Sequence, residues 1–286
     1  MTRLVQAWRK AVTAELCWTG ADGTPAAIAV TPLVESSTVC VALPYARAHE
    51  VADLRAAGAA TFAVTDSRSL DDRPGVAGSG PVTIIDDLEG EEFVDGLLDQ
   101  ELAKYPPSRA LADSVLLRRE HWWWLPRIIV RLGADVGGVE DVSETSLPAR
   151  TNPARHALAV TGARGAAPDV HCVDIGEPGD GAASEAAPQV RNLAGGQLGD
   201  GAALLLGYDY TMPDLERWET WTLSGTVTRG ALHVAARSGE PGADLPPLGL
   251  LARTRRHRRL AKAAARPSAP PNAPTNPHPE TPHSAK

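Results

Sequence analysis

Leu16-Cys-Trp-Thr-Gly-Ala-Asp-Gly-Thr-Pro25 is the stretch on which the fold turns. Glu15 to Thr19 reads as a strand, and the chain returns as a second strand from Thr24 to Leu33. Between them Gly20-Ala-Asp-Gly23 reads as a turn, because Gly and Asp tolerate positive φ. A hairpin this early makes an antiparallel sheet the expected framework. Before it, Leu4, Val5, Trp8 and Val12 recur at helical spacing with Arg3, Arg9 and Lys10 between them, which predicts a helix over 2–14. After it, strands are predicted at Thr38–Leu43, Ala59–Thr65, Pro81–Ile85 and Trp122–Leu132. A short helix over 47–57 and a polar loop over 66–78 separate them. Residues 89–104 form an amphipathic helix with Phe93, Val94, Leu97, Leu98 and Leu102 as its stripe, stopped by Pro106 and Pro107.

Further along, residues 137–154 read as a linker and 155–250 as a second β-rich domain, ending in a hairpin of Trp221–Val227 and Ala231–Ala236. Residues 251–286 comprise a basic segment and a Pro-rich tail that lacks the apolar surface to offset its chain entropy, so the tail is expected to be disordered. The two β-rich parts echo each other. Leu16-Cys-Trp-Thr-Gly-Ala-Asp-Gly resembles Leu158-Ala-Val-Thr-Gly-Ala-Arg-Gly165. Ala59-Ala-Thr-Phe-Ala-Val-Thr-Asp66 resembles Ala202-Ala-Leu-Leu-Leu-Gly-Tyr-Asp209. Both pairs occur in the same order and at nearly the same separation. The second domain is therefore expected as a degenerate repeat of the first, with chance similarity as the alternative.

The 286 residues are 43% hydrophobic, enough for one large domain or two ordinary ones. The net charge of −7 hides seven Lys and Arg residues between 253 and 266, so the remainder is strongly acidic. Such a body is not expected to bind nucleic acid. There is no apolar leader at the start and no run long enough to span a membrane, so a cytoplasmic location is expected. Cys17, Cys40 and Cys172 lie far apart and read as small buried hydrophobes. No GxGxxG, GxxxxGK[ST], HExxH or GxSxG occurs, and the eight histidines are scattered, so neither a nucleotide loop nor a metal cluster is indicated. Asp71-Asp72 and Asp86-Asp87 read as solvated turn residues.

The order helix, hairpin, strand, helix, strand, strand, helix, strand resembles the pyridoxamine 5'-phosphate oxidase-like, FMN-binding split β-barrel family. The hairpin at 16–25, the crossover from His49 to Asp66 and the strand at Gly78–Asp87 carry the resemblance. It implies a mainly β fold with flanking helices: a six-stranded split β-barrel in residues 1–136, followed by a second split-barrel-like domain. It also implies a flavin-dependent oxidoreductase using FMN or the deazaflavin F420 on an unknown small molecule. The alternative is a non-catalytic binding protein of the same fold that has lost FMN or holds haem or another planar ligand; a purely structural module is the third reading.

In that family the FMN phosphate lies near the third strand and the helix after it. Here that stretch is Leu43-Pro-Tyr-Ala-Arg-Ala-His-Glu50, which makes Arg47 and His49 the expected anion contacts, with Tyr45 and Arg127 beside them. The family usually carries a Lys four residues before the Leu of this helix, but Glu50 holds that place before Leu54. Trp122, Trp123 and Trp124 either stack on a planar ring or cover a domain interface, with Trp218 and Trp221 opposite. Members of the family work as dimers with the cofactor in the subunit interface. A tandem copy would supply that interface within one monomer as a pseudo-dimer; a homodimer is the other arrangement.

Overall fold

The computed structural model describes residues 2–108, 125–133, 141–162, 165–176, 187–212, 215, 217–240 and scattered positions from 245 to 258. The Trp122–Trp124 cluster, most of the basic segment and the Pro-rich tail lie outside the described residues.

Helix α1 (Arg3–Lys10) starts where the Thr2 hydroxyl accepts from the Val5 N–H. It ends with Arg9 and Lys10 on the negative pole of its dipole and buries Leu4, Val5 and Trp8. The predicted hairpin follows as β1 (Ala14–Thr19) and β2 (Pro25–Val30), with Gly23 left-handed at φ 88°. The second strand was expected to run on to Leu33, but it stops before Pro32, which has no N–H to give a ladder. A separate short β3 (Leu33–Glu35) then turns into β4 (Thr38–Pro44). The predicted helix over 47–57 is a tight 3₁₀ stretch, Tyr45–Val51, followed by one turn of α2 (Leu54–Ala57).

Strands β5 (Ala59–Val64), β6 (Gly75–Asp87), β7 (Arg127–Leu132) and β8 (Ser143–Leu147) complete an eight-stranded antiparallel sheet. Its order is β2-β1-β5-β6-β7-β4-β3, with β8 alongside β6. The first half of β6 pairs with β5 and its second half with β7. One strand shared between two ladders makes the sheet curl into a split barrel. The first four residues of β6, 75–78, fall in the predicted polar loop; the strand's glycines are not turn residues. They serve close approach instead: a Cβ on Gly80 would lie 2.9 Å from the Asp141 carbonyl oxygen, and one on Gly78 would overlap the Leu4 side chain. Strand β8 likewise lies in the expected linker and extends the expected six strands.

The outer face of β4 and β7 is covered by Phe93–Leu97 and α3 (Leu98–Lys104), through Phe93, Leu97, Cys40 and Ile129. Asp87, expected to be solvated, is buried and accepts from the Phe93 N–H at 2.9 Å. It therefore caps the helical start.

The second domain is a six-stranded antiparallel sheet of β9 (His156–Thr161), β10 (Asp169–Ile175), β11 (Val190–Asn192), β12 (Gly201–Tyr210), β13 (Trp218–Thr228) and β14 (Ala231–Ser238). The order is β11-β10-β9-β12-β13-β14. Its edges meet where Gln189 bridges to Ala231 and the Val190 N–H donates to the Gly230 carbonyl at 2.8 Å.

The ladders of the two domains coincide. Cys17 stands opposite Ala27 and Thr61, and Val160 stands opposite Val170 and Leu204. The step along the chain from Cys17 to Val160 is the same as from Ala27 to Val170 and from Thr61 to Leu204. The sequence match of Leu16 with Leu158 is therefore one position out of structural register. A one-residue slip reverses the face. Leu16 points into the first barrel, whereas Leu158 packs between the barrels.

Each barrel has its own core, one around Trp8, Trp18 and Phe62, the other around Leu205, Trp221 and Leu223. A third apolar cluster joins them. The first barrel supplies mostly small residues, Cys17, Ala27, Ala29, Ala63 and Ala77; the second supplies Leu158, Leu204, Leu206, Tyr208 and Tyr210. Trp218 lies at this seam against Tyr105, Tyr208 and Tyr210, as expected. Trp221 does not: it is buried in the second barrel, its indole lying over Gly207. In an antiparallel strand, residues three apart face opposite sides.

Candidate functional site

The chain segment that leaves β4 holds Tyr45, Arg47 and His49 on its 3₁₀ turns. Arg47 is engaged by its own neighbour. Its Nε and Nη2 donate to the two carboxylate oxygens of Glu50 at 2.9 and 2.7 Å, and Nη2 also reaches the Ala29 carbonyl at 3.3 Å. This bidentate pair uses the fork of donors that would otherwise meet a phosphate. His49 is exposed. Tyr45 donates to Asp86 at 2.5 Å, and Asp86 also takes two bonds from Arg55. Burial pushes the Asp86 carboxyl up, but the bonds from Arg55 and Tyr45 outweigh it and hold the group below its ordinary value.

Arg127 is not brought to this segment. It is fully buried on the opposite face of β7, under the Phe93 ring (Cζ to centroid 4.0 Å) and 3.5 Å from Glu101. Arg131 shares that face and pairs with Glu35 and Glu92. Arg127 and Arg131 thus lie on one face of β7, and α3 with its acidic neighbours covers it. The residues therefore do not fit an FMN phosphate: Arg47 is neutralised by Glu50, and Arg127 is sealed in a core.

A second polar cluster, unmarked in the sequence reading, lies between the barrels. Glu15 sits in a strand whose every residue is buried. Its Oε1 accepts from the Tyr208 hydroxyl (2.6 Å), the Thr65 hydroxyl (2.7 Å) and Arg150 Nη2 (2.6 Å). Arg150 Nε also donates to Thr65, and the guanidinium lies 4.5 Å over the Tyr208 ring. Next to it Arg68 spans Asp66 and Asp209 at 2.8 Å each and stacks 3.7 Å over Tyr210. Asp66 and Arg150 are joined by a parallel bridge. Burial raises the Glu15 carboxyl, only partly offset by Arg150, Tyr208 and Thr65. Burial also raises the Tyr208 phenol, and the Glu15 charge adds to it.

These groups couple β1, the end of β5, the segment after β8 and β12. Glu15 is wholly buried, Asp66, Arg68, Arg150 and Tyr208 also line a small pocket of about 60 Å³, and the cluster as a whole ties the two barrels together. Its one sequence signal is a Glu at the start of an apolar strand; its partners lie 50 to 193 residues away.

Among the described residues no group of three or more His, Cys, Asp or Glu is placed to hold a metal ion. Cys17, Cys40 and Cys172 are free and buried, as expected. No described helix is long and apolar enough to cross a membrane.

No protein-family model matches the chain. No curated protein matches it. Among solved structures it is similar to a conserved hypothetical protein of Mycobacterium tuberculosis, with 17% identity, a TM-score of 0.35, and 52% of this chain and 85% of that one covered. It is also similar to HutZ, the heme storage protein of Vibrio cholerae (8% identity, TM-score 0.34, 50% and 92% covered). A third is a heme-binding protein of Mycobacterium smegmatis (14% identity, TM-score 0.32, 51% and 59% covered).

Proposed function

We propose that this chain is a non-catalytic binding protein of split-barrel architecture that has lost the flavin phosphate site and takes haem or another planar ligand beside the Tyr45–Val51 turns. The observation that carries this reading is the bidentate Arg47–Glu50 pair. An anionic phosphate arriving there would meet a guanidinium already neutralised by a carboxylate. Displacing Glu50 would leave that carboxylate without its partner and beside a second negative charge. His49, exposed two residues from Arg47, offers an imidazole that a haem iron can take as an axial ligand.

The second barrel completes the reading. Its ladders match those of the first residue for residue over β1, β2 and β5, and it covers the Ala-rich face of those strands. The two barrels are a tandem duplication, and the second stands where a partner subunit would stand in a dimer.

Absorbance titrations of the full chain with hemin, FMN and F420 test the proposal. The expected result is a saturable change in the haem band with hemin, diminished in His49→Ala, and no binding of FMN. A flavin spectrum in the purified protein, or tight FMN binding by the unaltered chain, would overturn it. Glu50→Lys restores the cation at the family position and is expected to create measurable FMN affinity.

A further inference from the structure

Elsewhere on the first barrel, a cavity of about 270 Å³ lies between α1 and the loop from Ser69 to Val76. Successive turns of α1 present Arg3, Ala7 and Lys10 to it, the i, i+4, i+7 stripe opposite the buried Leu4, Val5 and Trp8. The facing loop brings Leu70, Arg73 and Pro74. Its shape is held by an unusual backbone. Asp71 and Asp72 are both left-handed, at φ 48° and 59°, a conformation disfavoured for residues with a Cβ. The Arg73 N–H closes the turn onto the Leu70 carbonyl at 3.0 Å.

The charges are uneven. Three cations, Arg3, Lys10 and Arg73, line the cavity with one carboxylate, Asp71. Asp71 lies 3.6 Å from Lys10; among the described residues Arg3 and Arg73 have no ion-pair partner. Ser69 also lines the space, with its hydroxyl buried on the Tyr210 side. Ala7, Leu70, Pro74 and Val76 supply apolar wall.

We propose that this cavity binds a small organic anion with an apolar body, of the size and charge of an aryl or alkyl phosphate monoester. Arg3 and Arg73 make charge-assisted hydrogen bonds to the anionic head. The apolar wall takes the body, and the volume sits at the small end of ligand pockets. The site shares no residue with the Tyr45–Val51 turns, so it stands whatever those turns bind.

The test is calorimetric titration of the full chain with phenyl phosphate, with inorganic phosphate and phenol as comparisons at fixed ionic strength. Saturable binding of phenyl phosphate is expected, weaker binding of inorganic phosphate, and none of phenol. Arg3→Gln/Arg73→Gln, which alters two exposed side chains, should weaken phenyl phosphate about tenfold or more. Ala7→Phe fills the cavity, keeps every charge, and should also abolish binding. Failure of phenyl phosphate to saturate the unaltered chain overturns the proposal, as does undiminished binding by either variant. Equal affinity for inorganic phosphate or phenol overturns the amphipathic character of the ligand.

Discussion

A carboxylate–guanidinium pair and a lysine show how burial sets the value of a charge. Glu15 and Arg150 are a buried ion pair, with Thr65 and Tyr208 donating to the same Glu15 oxygen. Arg150→Ala would leave the Glu15 carboxylate buried without its counter-charge, at an expected cost of about 3–5 kcal/mol in urea denaturation. The double change Glu15→Leu/Arg150→Met should cost far less, because no uncompensated charge remains. Lys104 is the opposite case, a buried ammonium that donates to the Trp8 and Pro32 carbonyls at 2.7 Å each. Burial pulls it down to about 7, against an ordinary 10.5. Between those two values the unfolded chain holds a proton that the folded chain has released, so stability rises with pH across that window. Melting curves of the unaltered chain and of Lys104→Met at pH 6.5 and 9.5 should therefore diverge, the variant lacking this component of the rise. An equal pH response in the two would refute the assignment.

At the scale of elements, glycine carries opposite meanings in two places. Gly207 on β12 lies under the Trp221 indole, and a Cβ there would overlap the ring. Gly207→Ala should destabilise by roughly 1–3 kcal/mol, since the ring has no free space to move into. Gly96, in the helical stretch before α3, meets nothing within 4 Å. Gly96→Ala should stabilise by roughly 0.4–1 kcal/mol, through lost freedom of the unfolded chain. Thermal melts of the two variants would expose an error in either sign. The start of β6, read as a loop, has the same source: a Cβ on Gly75 would crowd the Val64 carbonyl oxygen and one on Gly78 would overlap the Leu4 side chain, which only the packing shows. Where the signal was alternation or a Gly-Asp turn, as in β1, β2, β4 and β5, the elements stand close to where they were expected.

For the whole molecule, the joining cluster makes a prediction about size. The first barrel's Ala-rich face is covered by Leu158, Leu204, Leu206 and Tyr208 from within the same chain. The full chain is therefore expected to sediment as a monomer. Expression of residues 1–150 alone should uncover that face and lead to dimers or aggregates. A well-behaved monomer of native-like stability from that fragment would refute the pseudo-dimer. The sequence by itself determined the mainly β class, the opening hairpin and the two β-rich halves with their echo of each other, because alternation and turn chemistry are local. It also marked Glu50 as the departure at the phosphate position. Tertiary structure alone decided the rest. Arg47 closes on Glu50, and Arg127 is buried under Phe93. Cys17 answers to Val160 in the ladders, one position off the match of Leu16 with Leu158. Glu15 finds Tyr208 across 193 residues. Which face of a strand is covered, and by what, depends on partners far away in the chain, and no local pattern carries that information.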